Sequence, residues 1–243
     1  MVTDERIQNE IHHGEYIREH GEEIWNWSSP AGKLRWARRC RLFTEFLGNQ
    51  KRFVLEIGCG TGLFTKELAR TNNTIVSIDV SDALIIKAKE RVSSTNVNFI
   101  VGNAYETNFK SGSFDFIVGS SSLHHLELDS ALKEFSRILK PGGRMIFTEP
   151  NMMNPQVALI KKVPSIKRIA GDSPDETAFF RWQIANQLRR YGFADVCVKP
   201  FDFMHPQTPA WLLNMAERLT IIIEKVPLVR EIAGSLIIQC RKT

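Results

Sequence analysis

The stretch Val54-Leu55-Glu56-Ile57-Gly58-Cys59-Gly60-Thr61-Gly62 decides the fold. Phe53, Val54, Leu55 and Ile57 form an apolar run interrupted by one acid, as a buried strand does. Three glycines on alternate positions follow, and then a helical pattern begins at Leu63. A strand that passes through glycines into a helix N-terminus brings bare backbone close to a ligand, and the glycines permit positive φ there. Such a turn accepts several nucleotide-like groups. It gains meaning from Glu56, two residues before the first glycine, and from Asp79, which closes the next apolar run, Ile75–Asp79.

Outward from that turn the chain alternates strand and helix patterns. Strands are expected at Phe53–Ile57, Ile75–Asp79, Val97–Val101, Phe114–Gly119 and Arg144–Thr148, with helices between them. Leu84, Ile85, Ala88 and Val92 recur at helical spacing after a Ser81 cap, and Ala131, Leu132, Phe135, Ile138 and Leu139 make a second stripe. Apolar strands alternating with helices imply a mostly parallel sheet covered on both faces. Two further strands, Ala194–Val198 and Gly234–Cys240, complete a seven-stranded, doubly wound, Rossmann-like α/β sheet. Ser173-Pro174-Asp175-Glu176 has the form of a capping box, so a helix is expected to start there.

One domain is expected over 1–243. Residues 1–50 form a helical cap, with Ile7, Ile11 and Ile24 as the sparse apolar face of its first helix and a break at Ser28-Ser29-Pro30. Residues 51–149 form the cofactor-binding core, and 150–172 and 201–231 are insertions expected to act as a substrate lid. Hydrophobic content of 43% and charged content of 24% are those of an ordinary globular chain. No apolar run approaches the ~20 residues of a membrane span. The polar N-terminus lacks the apolar segment of a signal peptide. The four widely spaced cysteines suit neither a metal site nor a disulfide scaffold, so no metal is expected and a reduced, cytoplasmic protein is.

The net charge of +5 is unevenly spread. Lys and Arg against Asp and Glu number seven to eight in 1–50, twelve to eleven in 51–149, and thirteen to eight in 150–243. Nucleic acid, a phosphorylated small molecule, an anionic membrane face or plain solvated surface each fit that basic C-terminal part.

Asp79 at the carboxyl end of the second strand stands beside the glycine turn, where an acid suits a ribose diol; the competing role is a helix cap before Ser81. A nicotinamide fingerprint spaces its third glycine three residues after the second, and here the spacing is two. Glu56–Gly62 resembles motif I of the class I S-adenosylmethionine-dependent methyltransferases. The resemblance continues in Ile78-Asp79, Gly102-Asn103-Ala104, Phe114-Asp115-Phe116-Ile117-Val118 and Leu139-Lys140-Pro141-Gly142-Gly143. It is closest to the group acting on small molecules.

The resemblance implies S-adenosylmethionine as cofactor. Gly58, Cys59, Gly60 and Gly62 would lie against its methionine part, with Glu56 placing the loop or meeting the amino group through water. Asp79 and Val80 would hold the ribose. Asn103, Ala104 and Tyr105 would meet the adenine, with asparagine where relatives commonly carry aspartate, and Ser120 would face the sulfonium. His124 and His125 follow the fourth strand, where relatives often carry a histidine pair. His125 is the candidate general base, and a structural role in ordering the loop is the alternative. Glu149, Asn151 and His205 are further polar residues near the site without an assigned role.

The reaction this implies is methyl transfer to an apolar or amphipathic small acceptor, on O, N or C, by in-line displacement driven by positioning. Met152, Met153, Phe179, Phe180, Trp182 and Trp211 in and near the insertions favour such an acceptor. A lipid-linked or phosphorylated acceptor and peripheral membrane contact follow from Lys161, Lys162, Lys167 and Arg168 interleaved with apolar residues. Two rival readings are an RNA methyltransferase and a non-catalytic cofactor-binding module. The chain has Gly119-Ser120-Ser121-Ser122 where adenine-methylating enzymes carry an Asn/Asp-Pro-Pro-aromatic signature, and no nucleophilic cysteine follows the fourth or fifth strand. The sequence says nothing of oligomeric state.

Overall fold

Side chains on each central strand alternate between two apolar layers, which is why the sheet is buried on both faces. Val54, Phe116, Val118 and Ile146 point into one layer, with Phe43, Phe46 and Phe64. Leu55, Ile57, Ile117, Met145 and Phe147 point into the other, with Leu132, Phe135 and Leu188. A computed structural model describes residues 4–243 of the chain; residues 1–3 of the expected cap lie outside the described residues.

The chain begins with two helices, α1 (Asp4–Ile24) and α2 (Pro30–Leu47). Then follow β1 (Phe53–Ile57), α3 (Leu63–Leu68), β2 (Thr74–Asp79), α4 (Asp82–Arg91), β3 (Val97–Val101) and β4 (Phe114–Ser120). α5 (Leu128–Ile138) and β5 (Leu139–Pro150) complete the core, and α6 (Pro155–Lys162), α7 (Pro164–Ile169) and α8 (Arg181–Arg190) extend it. The chain ends with β6 (Phe193–Phe201), α9 (Leu213–Ile223), α10 (Pro227–Arg230) and β7 (Ser235–Lys242). The sheet order is β3-β2-β1-β4-β5-β7-β6, with β7 antiparallel to both its neighbours. The expected seven-stranded, mostly parallel, doubly wound sheet is therefore present. Its order reverses beside β1, so the carboxyl ends of β1, β2 and β4 open on one crevice.

Three local readings change. Ser29 and Pro30 do not merely break a pattern: the Ser29 side chain accepts the Gly32 N–H and Pro30 opens α2. Pro141-Gly142-Gly143 does not precede the fifth strand but bulges out of it. Phe114 pairs with Leu139 and Phe116 already with Arg144, so residues 140–143 loop out of register. The largest difference lies at 173–176. The capping-box bond forms, Ser173 N–H to Glu176 Oε1 at 2.7 Å, yet no helix follows. Thr177 N–H donates instead to the His124 carbonyl, Phe179 N–H donates to the Pro150 carbonyl, and α8 starts only at Arg181.

The N-terminal helices close over the crevice. α1 packs on α4 through Gly14, where an added Cβ would stand 2.6 Å from the Ser81 Cβ. Among the described residues of α1, Gly14, Ile17 and Gly21 are buried while Ile7, Ile11 and Ile24 are half-buried, so the glycine-bearing face, rather than the expected face of Ile7, Ile11 and Ile24, packs on α4. Among the described residues no helix is long and apolar enough to cross a membrane.

Candidate functional site

The crevice is built first by the glycine turn. Gly58, Gly60 and Gly62 hold φ of +66°, +53° and +77°. Gly58 and Cys59 both donate their N–H to the Ile78 carbonyl, at 2.9 and 3.0 Å, which ties the turn to the end of β2. A Cβ on Gly58 would stand 2.8 Å from the Ser122 Cβ, and one on Gly62 would stand 2.9 Å from the Ala88 Cα. Gly60 differs, because the space where its Cβ would stand is open.

Asp79 completes the turn. Its Oδ2 accepts the Gly60 N–H at 2.9 Å and its Oδ1 accepts the Ser81 N–H at 3.0 Å. Burial raises its carboxyl above the ordinary range, against the pull of those two bonds. Glu56 faces away from the crevice. Its Oε2 accepts the hydroxyls of Ser77 and Thr65 at 2.6 and 2.7 Å, joining β1, β2 and α3, while Oε1 has no partner. Burial pushes the Glu56 carboxyl up to about 7, although those two hydroxyls oppose it.

One cavity takes in Gly58, Cys59, Gly60, Asp79, Val80, Asn103, Ala104, Tyr105, Ser120 and His125. Of the residues the sequence nominates for the cofactor, Glu56 and Gly62 alone are not on its wall; they hold the turn from behind. Asn103 Oδ1 accepts the Tyr105 N–H at 2.9 Å, and the Tyr105 hydroxyl accepts the Glu127 N–H at 2.9 Å, so this edge of the cavity is braced. Ser120 Oγ lies 3.3 Å from Thr148 Oγ1 and 3.4 Å from the buried Arg39 guanidinium.

The other wall comes from the N-terminal cap. Ile7, Ile17, Trp25, Trp27 and Trp36 supply apolar surface, and Arg6, Glu10 and His13 supply polar groups. The sequence assigns this roof to the N-terminal cap together with 150–172 and 201–231, yet no residue of the two insertions lines the cavity and the cap alone supplies the wall. Those segments brace the cap from outside. Arg35 pairs with Asp202 at 2.8 Å, Arg38 pairs with Glu224, and Gly171 packs on Ile24. Asn151 and His205 serve local structure: the Asn151 amide donates to the Glu231 and Ala233 carbonyls, and His205 Nδ1 accepts the Gln207 N–H.

Beside the cavity lies a cluster that the sequence does not assemble, because its members run from residue 10 to residue 176. Glu149 Oε1 accepts the Ser122 and Leu123 N–H groups, and its Oε2 stands 2.7 Å from His124 Nδ1. Burial works against a charge on His124, but Glu149 and Glu176 on either side raise it to about 9. His125 Nδ1 contacts Glu10 Oε2 at 2.8 Å. Arg6 donates to the His125 and Asp175 carbonyls, which fixes α1 to the turn after β4. Burial opposes ionisation of Glu176, yet His125, His124 and Lys161 hold its carboxyl far below the ordinary range. Burial pulls the His13 imidazole below its ordinary value, against the opposing pull of Glu176. Sequence reasoning missed Glu10, His13 and Glu176 as site residues: Glu176 reads in the sequence only as the glutamate of a capping box, whose bond to the Ser173 N–H does form.

A family model described as a methyltransferase domain matches residues 55–147, from within β1 to within β5. An uncharacterized methyltransferase-like protein of Schizosaccharomyces pombe is 29% identical over 71% of this chain and 65% of its own length. A demethylmenaquinone methyltransferase of Corynebacterium glutamicum is 25% identical over 66% of this chain and 74% of its own. The chain thus spans about two thirds to three quarters of these relatives. A solved structure from Thermotoga maritima, described as a SAM-dependent methyltransferase and possible histamine N-methyltransferase, shares the fold. It aligns with TM-score 0.67 at 20% identity over 96% of this chain and 100% of that one. The core of the chain, residues 55–147, thus matches the methyltransferase-domain family, and the glycine turn and sheet order give the whole chain the Rossmann-like fold of these methyltransferases.

Proposed function

We propose that this protein transfers the methyl group of S-adenosylmethionine to a small, apolar or amphipathic acceptor held beneath the N-terminal helices. The observation that carries this reading is the continuity of the cavity, from the Gly58–Gly60 turn and Asp79 to the walls formed by Trp25, Trp27 and Trp36. The glycine turn fits the cofactor, since Gly60 leaves open space at its Cα for close backbone approach. Each Asp79 oxygen accepts one backbone N–H, which leaves a lone pair on both for a ribose diol. Asn103 keeps its amide N–H groups and one carbonyl lone pair for the adenine edge.

S-adenosylmethionine, when bound, supplies an electrophilic methyl group on a cationic sulfur. The chain's own part is then to align the acceptor and exclude water. α1 and the Trp25–Trp27 turn cover the cavity, which limits the acceptor to a small molecule. Their indole and isoleucine surfaces favour an apolar body, and Arg6, Glu10 and His13 offer a few polar contacts to orient it. We assign His125 a positioning role, because its Nδ1 is engaged by Glu10 and its carbonyl by Arg6.

The test is formation of S-adenosylhomocysteine by the full chain in the presence of demethylmenaquinone or histamine, the acceptors suggested by two similar proteins. Asp79→Ala should weaken S-adenosylmethionine binding by roughly 10- to 100-fold in calorimetry, the cost of hydrogen bonds to a charged group. His125→Ala should retain measurable turnover. Absence of cofactor binding at millimolar concentration would overturn the proposal, and methylation of transfer RNA in place of small acceptors would overturn the acceptor class.

A further inference from the structure

We propose that His124, His125 and Glu176 form a site for one divalent transition cation of the zinc class, on the cavity wall where α1 meets the turn after β4, with His13 and Glu10 of α1 lying beside it. The inference is independent of the methyl-transfer reading.

The distances point to a shared ion. His124 Nε2 stands 3.5 Å from Glu176 Oε2, His125 Nδ1 stands 3.8 Å from Glu176 Oε1, and His13 Nε2 stands 3.5 Å from the same Oε1. A charge-assisted hydrogen bond between imidazole and carboxylate closes to about 2.7–2.9 Å. None of the three separations from this carboxylate closes to that length. Ligand atoms at ~2.0–2.1 Å from a tetrahedral zinc lie about 3.4 Å from one another, which is close to the separations found here. His124, His125 and Glu176 offer ligand atoms that all lie within 4.8 Å of one another. Glu10 Oε2, 2.8 Å from His125 Nδ1, sets a carboxylate of α1 against one edge of this group.

The surroundings are those of a metal site as well. Glu149 takes His124 Nδ1 at 2.7 Å, so Nε2 is the nitrogen turned toward the site, and the carboxylate behind it fixes the ring as carboxylates do for metal-bound histidines. Lys161 Nζ holds Glu176 Oε2 at 2.7 Å, and the Ser173 N–H takes one lone pair of Oε1 at 2.7 Å, leaving the other. His125 Nδ1 is buried without a well-directed hydrogen bond. Glu10, Glu149, Asp172 and Glu176 are four carboxylates in contact with this group, against Lys161 and the nearby Arg6 as fixed cations. A dication offsets that surplus.

The donor set chooses the metal. Two imidazoles with one carboxylate suit zinc and its transition-metal neighbours with a fourth position open, whereas magnesium and calcium require oxygen-dominated shells. Binding exchanges the proton on any protonated ligand for the metal and releases it to solvent, with no change of oxidation state. The ion would join the turn after β4 to the 173–177 segment, two stretches remote in sequence, and α1 would rest on that junction through Glu10 against His125 and His13 against Glu176.

The experiment uses the tag-free full chain. Metal analysis of the purified protein and titration of the chelator-treated protein with Co²⁺, followed by visible absorption, should give one equivalent. The expected Kd is below about 10 μM, that is, tighter than roughly −7 kcal/mol. His124→Ala and His125→Ala should each weaken Co²⁺ binding more than tenfold and abolish the metal-induced rise in Tm. His20→Ala, an exposed histidine on α1, should leave both unchanged. A weaker Kd, no visible band, or binding that the His124→Ala/His125→Ala double variant retains would overturn the proposal. Circular dichroism of each variant separates loss of the site from loss of the fold.

Discussion

Glu56 is an acid that folding places where a carboxylate is costly. It is 1% exposed, one of its oxygens has no partner, and the charge that acts on it belongs to another acid, Asp79. Its proton is therefore held more tightly in the folded chain, up to about 7, than in the unfolded chain, near 4.3. The sign follows from linkage. Between those two values the folded state binds more protons, so Glu56 lowers stability as pH rises through this window and adds nothing further above it. The limit of the effect is about 4 kcal/mol. Glu56→Gln keeps an acceptor for Ser77 and Thr65 and removes the titration. Its Tm relative to the parent chain, measured without cofactor, should rise from pH 5 to pH 8. A difference that stays flat or falls over that range would show that Glu56 is not the strained acid described.

At the scale of the element, α1 illustrates how a helix with little apolar surface can still dock. Its buried residues are Gly14, Ile17 and Gly21, and the two glycines let the backbone approach α4 and the Trp25 ring. Polar anchors supplement that face: Arg6 on the His125 carbonyl, Asn9 on Asp175 and Glu10 on Ser173 and His125. Gly14→Val puts side-chain atoms where the Ser81 Cβ already stands 2.6 Å away. Overpacking of this kind costs typically 1–3 kcal/mol, although removing a helical glycine returns roughly 0.5–1 kcal/mol. The variant should therefore loosen α1 rather than unfold the chain. Limited proteolysis should cut within residues 4–29 faster than in the parent, while near-UV circular dichroism of the core is kept. Unchanged proteolysis would mean that α1 does not depend on this close approach.

Across the whole molecule, the sheet was legible because its strands are apolar on both faces, and the glycine turn was legible because its residues are contiguous. Runs such as Phe114–Val118 need no tertiary context to read as buried strands. The two helices of the cap were legible, but its docking face and its polar residues in the site were not, for a physical reason. α1 buries glycine rather than leucine, and the polar half of the site is assembled from Glu10, His13, His125 and Glu176, which only folding brings together. The capping box at Ser173 shows the same limit, since its local bond forms but the chain beyond it is claimed by the carbonyls of His124 and Pro150. Since α1 and the Trp25–Trp27 turn supply one wall of the cavity and the glycine turn the other, ligand binding should rigidify both sides at once. Binding stabilises the closed state by an amount set by the free ligand concentration over Kd, about 2.7 kcal/mol at a hundredfold excess. Amide exchange with and without S-adenosylhomocysteine should slow over residues 4–29 and 58–62, and stay unchanged over α9 and α10, which do not touch the cavity. Protection confined to 58–62 would mean that the N-terminal helices do not form the acceptor wall. Protection over α9 and α10 would return that role to the 201–231 segment.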